Sequence, residues 1–318
     1  MTFTFGHVLV TGGAGFIGSQ LLLRLIPVSK SITVIDDCTT GNRDSIPKAD
    51  NVHFIESSYV DEQLLQTVLP DVEHIFHLAC RNMVMSAMHM DDDFNVNLYG
   101  GYLLLKKANE QCRRLKRLVY TSTASVYGNA AIIPTPESEY STTLPYAASK
   151  LSMEHYCQVF HTMHQLPVTT LRLSNVYGPG QLTSNPYCGV IAKFFEAAEA
   201  GDEMPIFGDG TQTRDFTYID NAIDAILAAA VHEQTNGGVY NVGTGQETSV
   251  NTLANLIQQI VGHPNTRQKH VAKRLVDVVY RRCLSPERLN QTIGWKPSIS
   301  IEEGLRLTYD WKKEGGGH

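Results

Sequence analysis

"VLVTGGAGFIG", residues 8–18, decides the fold. A β-branched run enters three glycines, Gly12, Gly15 and Gly18, and leaves as the apolar helical pattern "FIGSQLLLRLI" (16–26). Glycine lets the backbone turn tightly and approach a pyrophosphate, whose charge then meets the free amides and positive end of the helix. A glycine triplet alone is a weak signal; one that follows a strand and opens a helix has the context that dinucleotide binding requires.

Working outward, five more runs read as strands: "SITVIDD" (31–37), "VHFIES" (52–57), "HIFHLAC" (74–80), "RLVYTST" (117–123) and "VTTLRLSNVYG" (168–178). Between them, "DDFNVNLYGGYLLLKKANEQC" (92–112) and "PYAASKLSMEHYCQVFHTMH" (145–164) carry apolar residues at helical spacing. Strands alternating with helices predict an α/β fold of Rossmann type, a doubly wound parallel sheet, with a smaller C-terminal substrate lobe. We expect residues 1–178 to form the cofactor domain and 179–318 mainly the lobe, with the chain returning to the sheet near 215–245. Asp36 ends the second run, 24 residues after Gly12. A carboxylate there accepts hydrogen bonds from ribose hydroxyls and repels a 2′-phosphate, which predicts NAD rather than NADP. Asp37 beside it either contacts the adenosine or is a solvated loop residue.

Composition narrows the function classes. The chain has 318 residues, 42% hydrophobic and 18% charged, enough for a large core. A net charge of -6 gives no footprint for nucleic acid. The 6 Cys form no CxxC pair and the 12 His no metal-ligand spacing, so no metal is expected. No run approaches the length of a membrane span, and "MTFTFGHVLV" has no basic region followed by an apolar segment, which predicts a cytoplasmic protein without membrane contact. The terminal "GGGH" reads as an appended tail, outside the fold.

"LPYAASK" (144–150) sets a phenol four residues before an ammonium, on one helix face. Tyr102 with Lys106 and Tyr309 with Lys313 share that spacing, so context must choose. Tyr102 lies in an apolar helix and reads as packing; Tyr309 lies in a polar tail. Tyr146 follows Pro145 at a helix start, after a strand whose end "TST" belongs at the carboxyl edge of the sheet, where ligands bind.

Taken together, the glycine loop, Asp36, "YTSTASVYG", "YAASK", "LRLSNVYGPGQ" and "GDGTQTRDFTYID" resemble the extended short-chain dehydrogenase/reductases over about residues 7–310, and among them the nucleotide-sugar epimerases and dehydratases. The resemblance implies NAD contacts at Gly12, Gly15, Phe16, Ile17, Gly18, Asp36, Asp37, Ser58, Tyr59, Leu78, Ala79, Tyr146 and Lys150. It implies Tyr146 as acid and base on the sugar hydroxyl, Lys150 on the nicotinamide ribose and Thr123 on the reacting oxygen. A free phenol has a pKa of about 10, too high for a base at neutral pH, so a neighbouring cation has to lower it.

Epimerases, dehydratases and decarboxylases of this kind all begin by oxidising C4. In the resembling 4,6-dehydratases an Asp-Glu pair follows the threonine, and in the sugar-acid decarboxylases a glutamate lies close by; here Thr123 is followed by Ala124, Ser125, Val126 and Tyr127. The expectation is therefore 4-epimerisation of a UDP-hexose or UDP-hexuronate, with dehydration or decarboxylation as the alternative and a non-enzymatic NAD-binding protein as a remote one. The resemblance further implies Asn175 and Arg214 on the diphosphate sugar, Phe207 either over the uracil ring or in the core, and a phosphate contact among Arg274, Arg281 and Arg282, with Arg281 and Arg282 preferred. Ser58, Ser174 and Met85 depart from the residues common in the family. A homodimer through the helices near 93–112 and 146–164 is also implied.

Overall fold

A computed structural model describes residues 5–181, 189–273 and 278–316. Six strands alternate with helices along the first half: β1 (Phe5–Thr11), β2 (Ser29–Asp36), β3 (Val52–Glu56), β4 (His74–His77), β5 (Arg117–Thr123) and β6 (Val168–Leu173). They assemble in the order β3-β2-β1-β4-β5-β6, every neighbouring pair parallel, and Val239–Val242 returns beside β6 as a seventh strand. The order reverses between β1 and β4, which opens a crevice at the carboxyl ends of those strands.

Alternation along each strand builds two layers. Val8 and Val10 of β1 pack with Leu21, Leu22 and Leu25 of helix α1 (Phe16–Leu25) and with the helix Ile219–Val231 on one face. Leu9, Ile75 and Leu118 point the other way, toward the helices Glu62–Val68, Gly101–Gln111 and Pro145–His164. The first core continues without a break into the small lobe through Phe194, Phe195, Met204, Ile206, Leu253 and Ile257. Sheet and lobe therefore share buried surface.

Two expectations are corrected. The run 168–178 is not one strand: β6 stops at Leu173, where Ser174 N donates to Val242 O at 3.0 Å, and Asn175–Tyr177 leaves the sheet to pair with Phe216–Tyr218. The break swings Asn175 over the crevice instead of along the sheet. Tyr309, expected in a polar tail, stacks flat on Phe195 at 5.6 Å with Lys313 above its ring, so its four-residue spacing serves packing. Tyr102 packs against Tyr156 and Phe160, as its apolar helix predicts.

The helix Pro145–His164 is locked by an ion pair inside the protein. Glu154 and Arg172 of β6 have side chains only 3% and 5% exposed, and Arg172 donates to both carboxylate oxygens at 2.7–3.0 Å. Ser122 of β5 donates to the same carboxylate, while Arg172 Nη1 reaches Tyr127 Oη at 2.9 Å. Removing one partner leaves the other charge buried and alone, so Glu154→Leu should lower the unfolding free energy by about 3–5 kcal/mol. Urea denaturation followed by circular dichroism measures this, and a loss below 1 kcal/mol would show that the pair is dispensable.

Candidate active site

At the crevice lies a cavity of ≈ 850 Å³ bounded by the β1–α1 turn, the ends of β2, β4 and β5, and the start of the helix Pro145–His164. The turn is built for close approach. Gly12 takes φ +79°, and a Cβ on it would fall 2.5 Å from Ala79 N; a Cβ on Gly18 would fall 2.1 Å from Gly12 O. Only glycine permits the loop to lie this tightly against β4 and its own helix. α1 then begins after Gly15 with no side-chain cap and no acidic residue in its first turn, so its amides and positive end face the cavity unopposed. A Cβ on Gly15 would meet only Gly12 O, at 3.4 Å, and the space beyond it is cavity.

Asp36 closes the far side. Its Oδ2 accepts from Ala14 N and its Oδ1 from Cys38 N, each at 2.9 Å, which fixes the carboxylate across the mouth of the glycine loop with lone pairs remaining on both oxygens. Burial raises its pKa, and the two backbone amides oppose that rise. Asp37 also lines the cavity; its carboxylate is held by Arg81 Nη2 at 2.9 Å, and Arg81 in turn pairs with Asp92 at 2.6 Å. Phe16, Ile17, Ser58, Tyr59, Leu78 and Ala79 complete this end. Tyr59 turns its hydroxyl away, to Val96 O, so it contributes wall and not a donor. An amide cradle beside a carboxylate that accepts but cannot donate fits a dinucleotide with an unmodified ribose.

Thr123, Tyr146 and Lys150 come together at the other end of the cavity. Pro145 starts the helix, which places Tyr146 in the first turn and Lys150 one turn on. Ser125 N donates to Thr123 Oγ1 at 3.1 Å, which leaves the threonine proton free to be donated. Lys150 Nζ donates to Thr121 O at 2.7 Å and sits 4.8 Å above the Tyr120 ring. Burial pushes the Tyr146 phenol well up from its ordinary range, with the Cys80 thiol adding to the rise and the Thr123 hydrogen bond opposing it. Burial also pulls the Lys150 ammonium down.

Two features here had no signal in the sequence. Cys80, three residues beyond β4, lines the cavity with Tyr146 and pushes its phenol up. Behind the pair, buried Asp93 accepts from Ser86 and Asn97 at 2.6 Å and from Ser149 at 3.1 Å. Both depend on contacts between distant segments.

A family model, the NAD dependent epimerase/dehydratase family, matches residues 8–243. The chain belongs to the NAD-dependent epimerase/dehydratase family. It is 35% identical to a UDP-glucose 4-epimerase of Mycolicibacterium smegmatis, over 96% of this chain and 98% of that protein. It is 31% identical to a UDP-N-acetyl-alpha-D-glucosaminuronate decarboxylase of Bacillus cytotoxicus, over 96% and 97%. Among solved structures, the UDP-glucose 4-epimerase of Thermotoga maritima with UDP-glucose superposes with a TM-score of 0.90 at 34% identity, covering 97% of this chain and 99% of that one. Its members use NAD, and the chain is an enzyme of this family.

The residues expected to hold substrate are more scattered. Asn175 lines the cavity beside Ser174, whose hydroxyl is bonded to Thr217 at 2.5 Å. Phe207 lies at the lobe end of the strand Glu203–Phe207, outside the cavity lining given above. Arg214 is held by the carbonyls of Thr213 and Val279, at 2.7 and 3.0 Å, while Asp215 next to it is buried and accepts from Thr244 and Gly245 amides. Arg281 is exposed and paired with Glu247, its Nε at 3.0 Å. Arg282 is half-buried. Arg274 lies outside the described residues. Replacing Asp36 with Ala should weaken NAD binding by on the order of 1.5–3 kcal/mol, the scale of a hydrogen bond to a charged group. Titration calorimetry on cofactor-stripped protein reads the loss; tighter binding of NADP than of NAD by the unaltered protein would refute the assignment.

Proposed function

We propose that this enzyme epimerises a UDP-sugar at C4 through a transient 4-keto sugar. The observation that carries the reading is the composition of the reactive end. Among the described residues lining the cavity, the acidic ones are Asp36 and Asp37, both at the glycine-loop end. Ala124, Ser125, Val126 and Tyr127, which follow Thr123, are all buried, with Tyr127 committed to Asn241 and Arg172. Asp93, whose Oδ1 accepts from three donors, and Glu154, paired with Arg172, are both buried and lie outside that lining. Elimination across C5 and C6 needs a further acid and base; inversion at C4 needs none beyond the tyrosine.

Tyr146 takes the proton of the C4 hydroxyl and later returns it. Thr123 donates its one proton to the reacting oxygen, and Lys150 holds the nicotinamide ribose while its charge favours the phenolate. NAD at this site supplies the hydride acceptor and donor for C4. Asn175 and Arg214 hold the diphosphate end, Arg214 because a planar guanidinium fixes phosphate oxygens. The relatives named UDP-glucose 4-epimerase support the substrate class.

Tyr146→Phe should cut turnover 10²- to 10⁴-fold, the usual scale for acid-base catalysis, while Tyr102→Phe should leave it within about twofold. Stopped-flow absorbance after mixing with UDP-sugar follows reduced cofactor directly. Proton NMR of the products, on a panel of UDP-hexoses and UDP-hexuronates, separates epimer from dehydrated and decarboxylated sugar; either of the latter as main product would overturn the epimerase reading.

We also infer a homodimer through the helices spanning 90–111 and 145–164. Phe94, Tyr99, Tyr156, Val159 and Met163 are exposed on them, the last three at a spacing that puts them on one face. Tyr156→Glu should shift the protein to monomer in light scattering, and an unchanged dimer mass would place the interface elsewhere.

A further inference from the structure

Lys150 is buried, only 2% exposed, and what holds its ammonium is neutral. Nζ donates to Thr121 O at 2.7 Å and stands over the Tyr120 ring, 4.8 Å from its centre. That is inside the range of about 6 Å over which a ring face draws a cation. The ring meets the lysine because strand and helix run past one another in phase. Tyr120 and Ser122, two apart on β5, point to one side and meet Lys150 and Glu154, one turn apart on the helix Pro145–His164. The Tyr120 hydroxyl adds little, since its partner, Lys150 O, is 3.5 Å away. The ring is itself held: it is 1% exposed and stacks on His77 at 5.6 Å. His77 is fixed in turn by the edge of Tyr59 at 4.9 Å and by Thr11 Oγ1 at 2.7 Å.

An ammonium taken out of water needs a partner, and burial pulls Lys150 toward losing its proton. A carboxylate against it would keep the charge but cancel the field that the phenol one turn away requires. An aromatic face attracts a cation through its quadrupole and carries no net charge. The other titratable groups facing the pair are the carboxylates of Glu154 and Asp93, the thiols of Cys80 and Cys157, and the His77 imidazole. Glu154 is paired with Arg172, and Asp93 Oδ1 accepts from Ser86, Asn97 and Ser149. Burial pushes the Cys157 thiol up to about 12 and, with Lys150 adding to it, brings His77 down to about 3, so both stay neutral at ordinary pH. We propose that Tyr120 is a positioning residue of the reaction: its ring holds the Lys150 ammonium charged and in place without neutralising it, so that the cation acts on the Tyr146 phenolate. This rests on the reading of Tyr146 as the base and Lys150 as its cation, and adds what holds the cation.

The test keeps the shape of the ring and changes its charge distribution. Tyr120→Phe loses the hydroxyl and keeps the negative face. Trifluorophenylalanine at position 120 is close to Phe in shape, but fluorine strips that face of its negative potential. Each is prepared as the NAD-bound enzyme with its tyrosines carbon-13 labelled at Cζ, whose NMR shift follows ionisation of the phenol; Tyr146→Phe assigns the Tyr146 signal. In Tyr120→Phe, Tyr146 should titrate as in the unaltered enzyme. With trifluorophenylalanine it should titrate about 0.5–1 unit higher, because a cation that is lost or displaced no longer favours the phenolate. Lys150→Met sets the shift expected when the cation is gone altogether. If Lys150→Met raises the Tyr146 titration and the fluorinated ring matches Tyr120→Phe, Tyr120 only fills space, and the proposal is overturned while the role of Lys150 stands. A Tyr146 signal that Lys150→Met leaves unmoved would overturn the reading of the pair, and the proposal with it.

Discussion

Glu154 is the constraint on which the reactive geometry depends. It lies two turns beyond Tyr146 and one beyond Lys150, so the three side chains form one stripe along the helix Pro145–His164. By accepting from Ser122 of β5 and from Arg172 of β6, its carboxylate sets the height and rotation of that helix against both strands. Lys150 then reaches Thr121 O and Tyr146 meets Thr123, two residues farther along β5. A rotation of the helix by one residue would carry the whole stripe away from the strand ends together. The buried ion pair is thus a device for register, and its contribution to position is separable from its contribution to stability.

How much of this was legible in the sequence depended on how local the cause was. The glycine loop and Asp36 announce themselves because the turn, the start of α1 and the end of β2 are each determined by residues within a few positions, and the observed closeness of Gly12 to Ala79 and of Gly18 to Gly12 is the physical reason for the pattern. Choosing Tyr146 over Tyr102 and Tyr309 likewise needed only the proline before it and the strand upstream. By contrast, Glu154 reads as one more charge in an amphipathic helix until Arg172 is known to face it from β6. The split of 168–178 into two strands was hidden for the same reason: nothing near Leu173 in sequence shows that Val242 will take the amide of Ser174.

The arginines show the limit most clearly. Arg281 and Arg282 are neighbours in an ambiguous stretch, equal as sequence. The fold separates them: Arg281 pairs with Glu247 on the surface, while the Nε of Arg282 is closed off from solvent. A two-residue period cannot be phased without knowing where the segment is anchored, and here the anchors are Asn129, Thr135 and Thr213, at least 60 residues away in the chain.

Charge balance ties these elements to the chemistry. The carboxylates behind this end of the cavity are engaged before any ligand arrives: Asp93 Oδ1 accepts from three neutral donors, and Glu154 is paired with Arg172 and bonded by Ser122. The Lys150 ammonium meets a carbonyl and an aromatic face, and the Arg282 Nε has no hydrogen-bond partner among the described residues. Burial, with the Cys80 thiol and the Asp93 carboxylate adding to it, raises the Tyr146 phenol well above its ordinary range. A cation brought against the phenol would favour the phenolate. The turn after Thr123 brings no carboxylate to this end of the cavity, so it supplies none of the groups that an elimination would need and adds no further negative charge against the phenol.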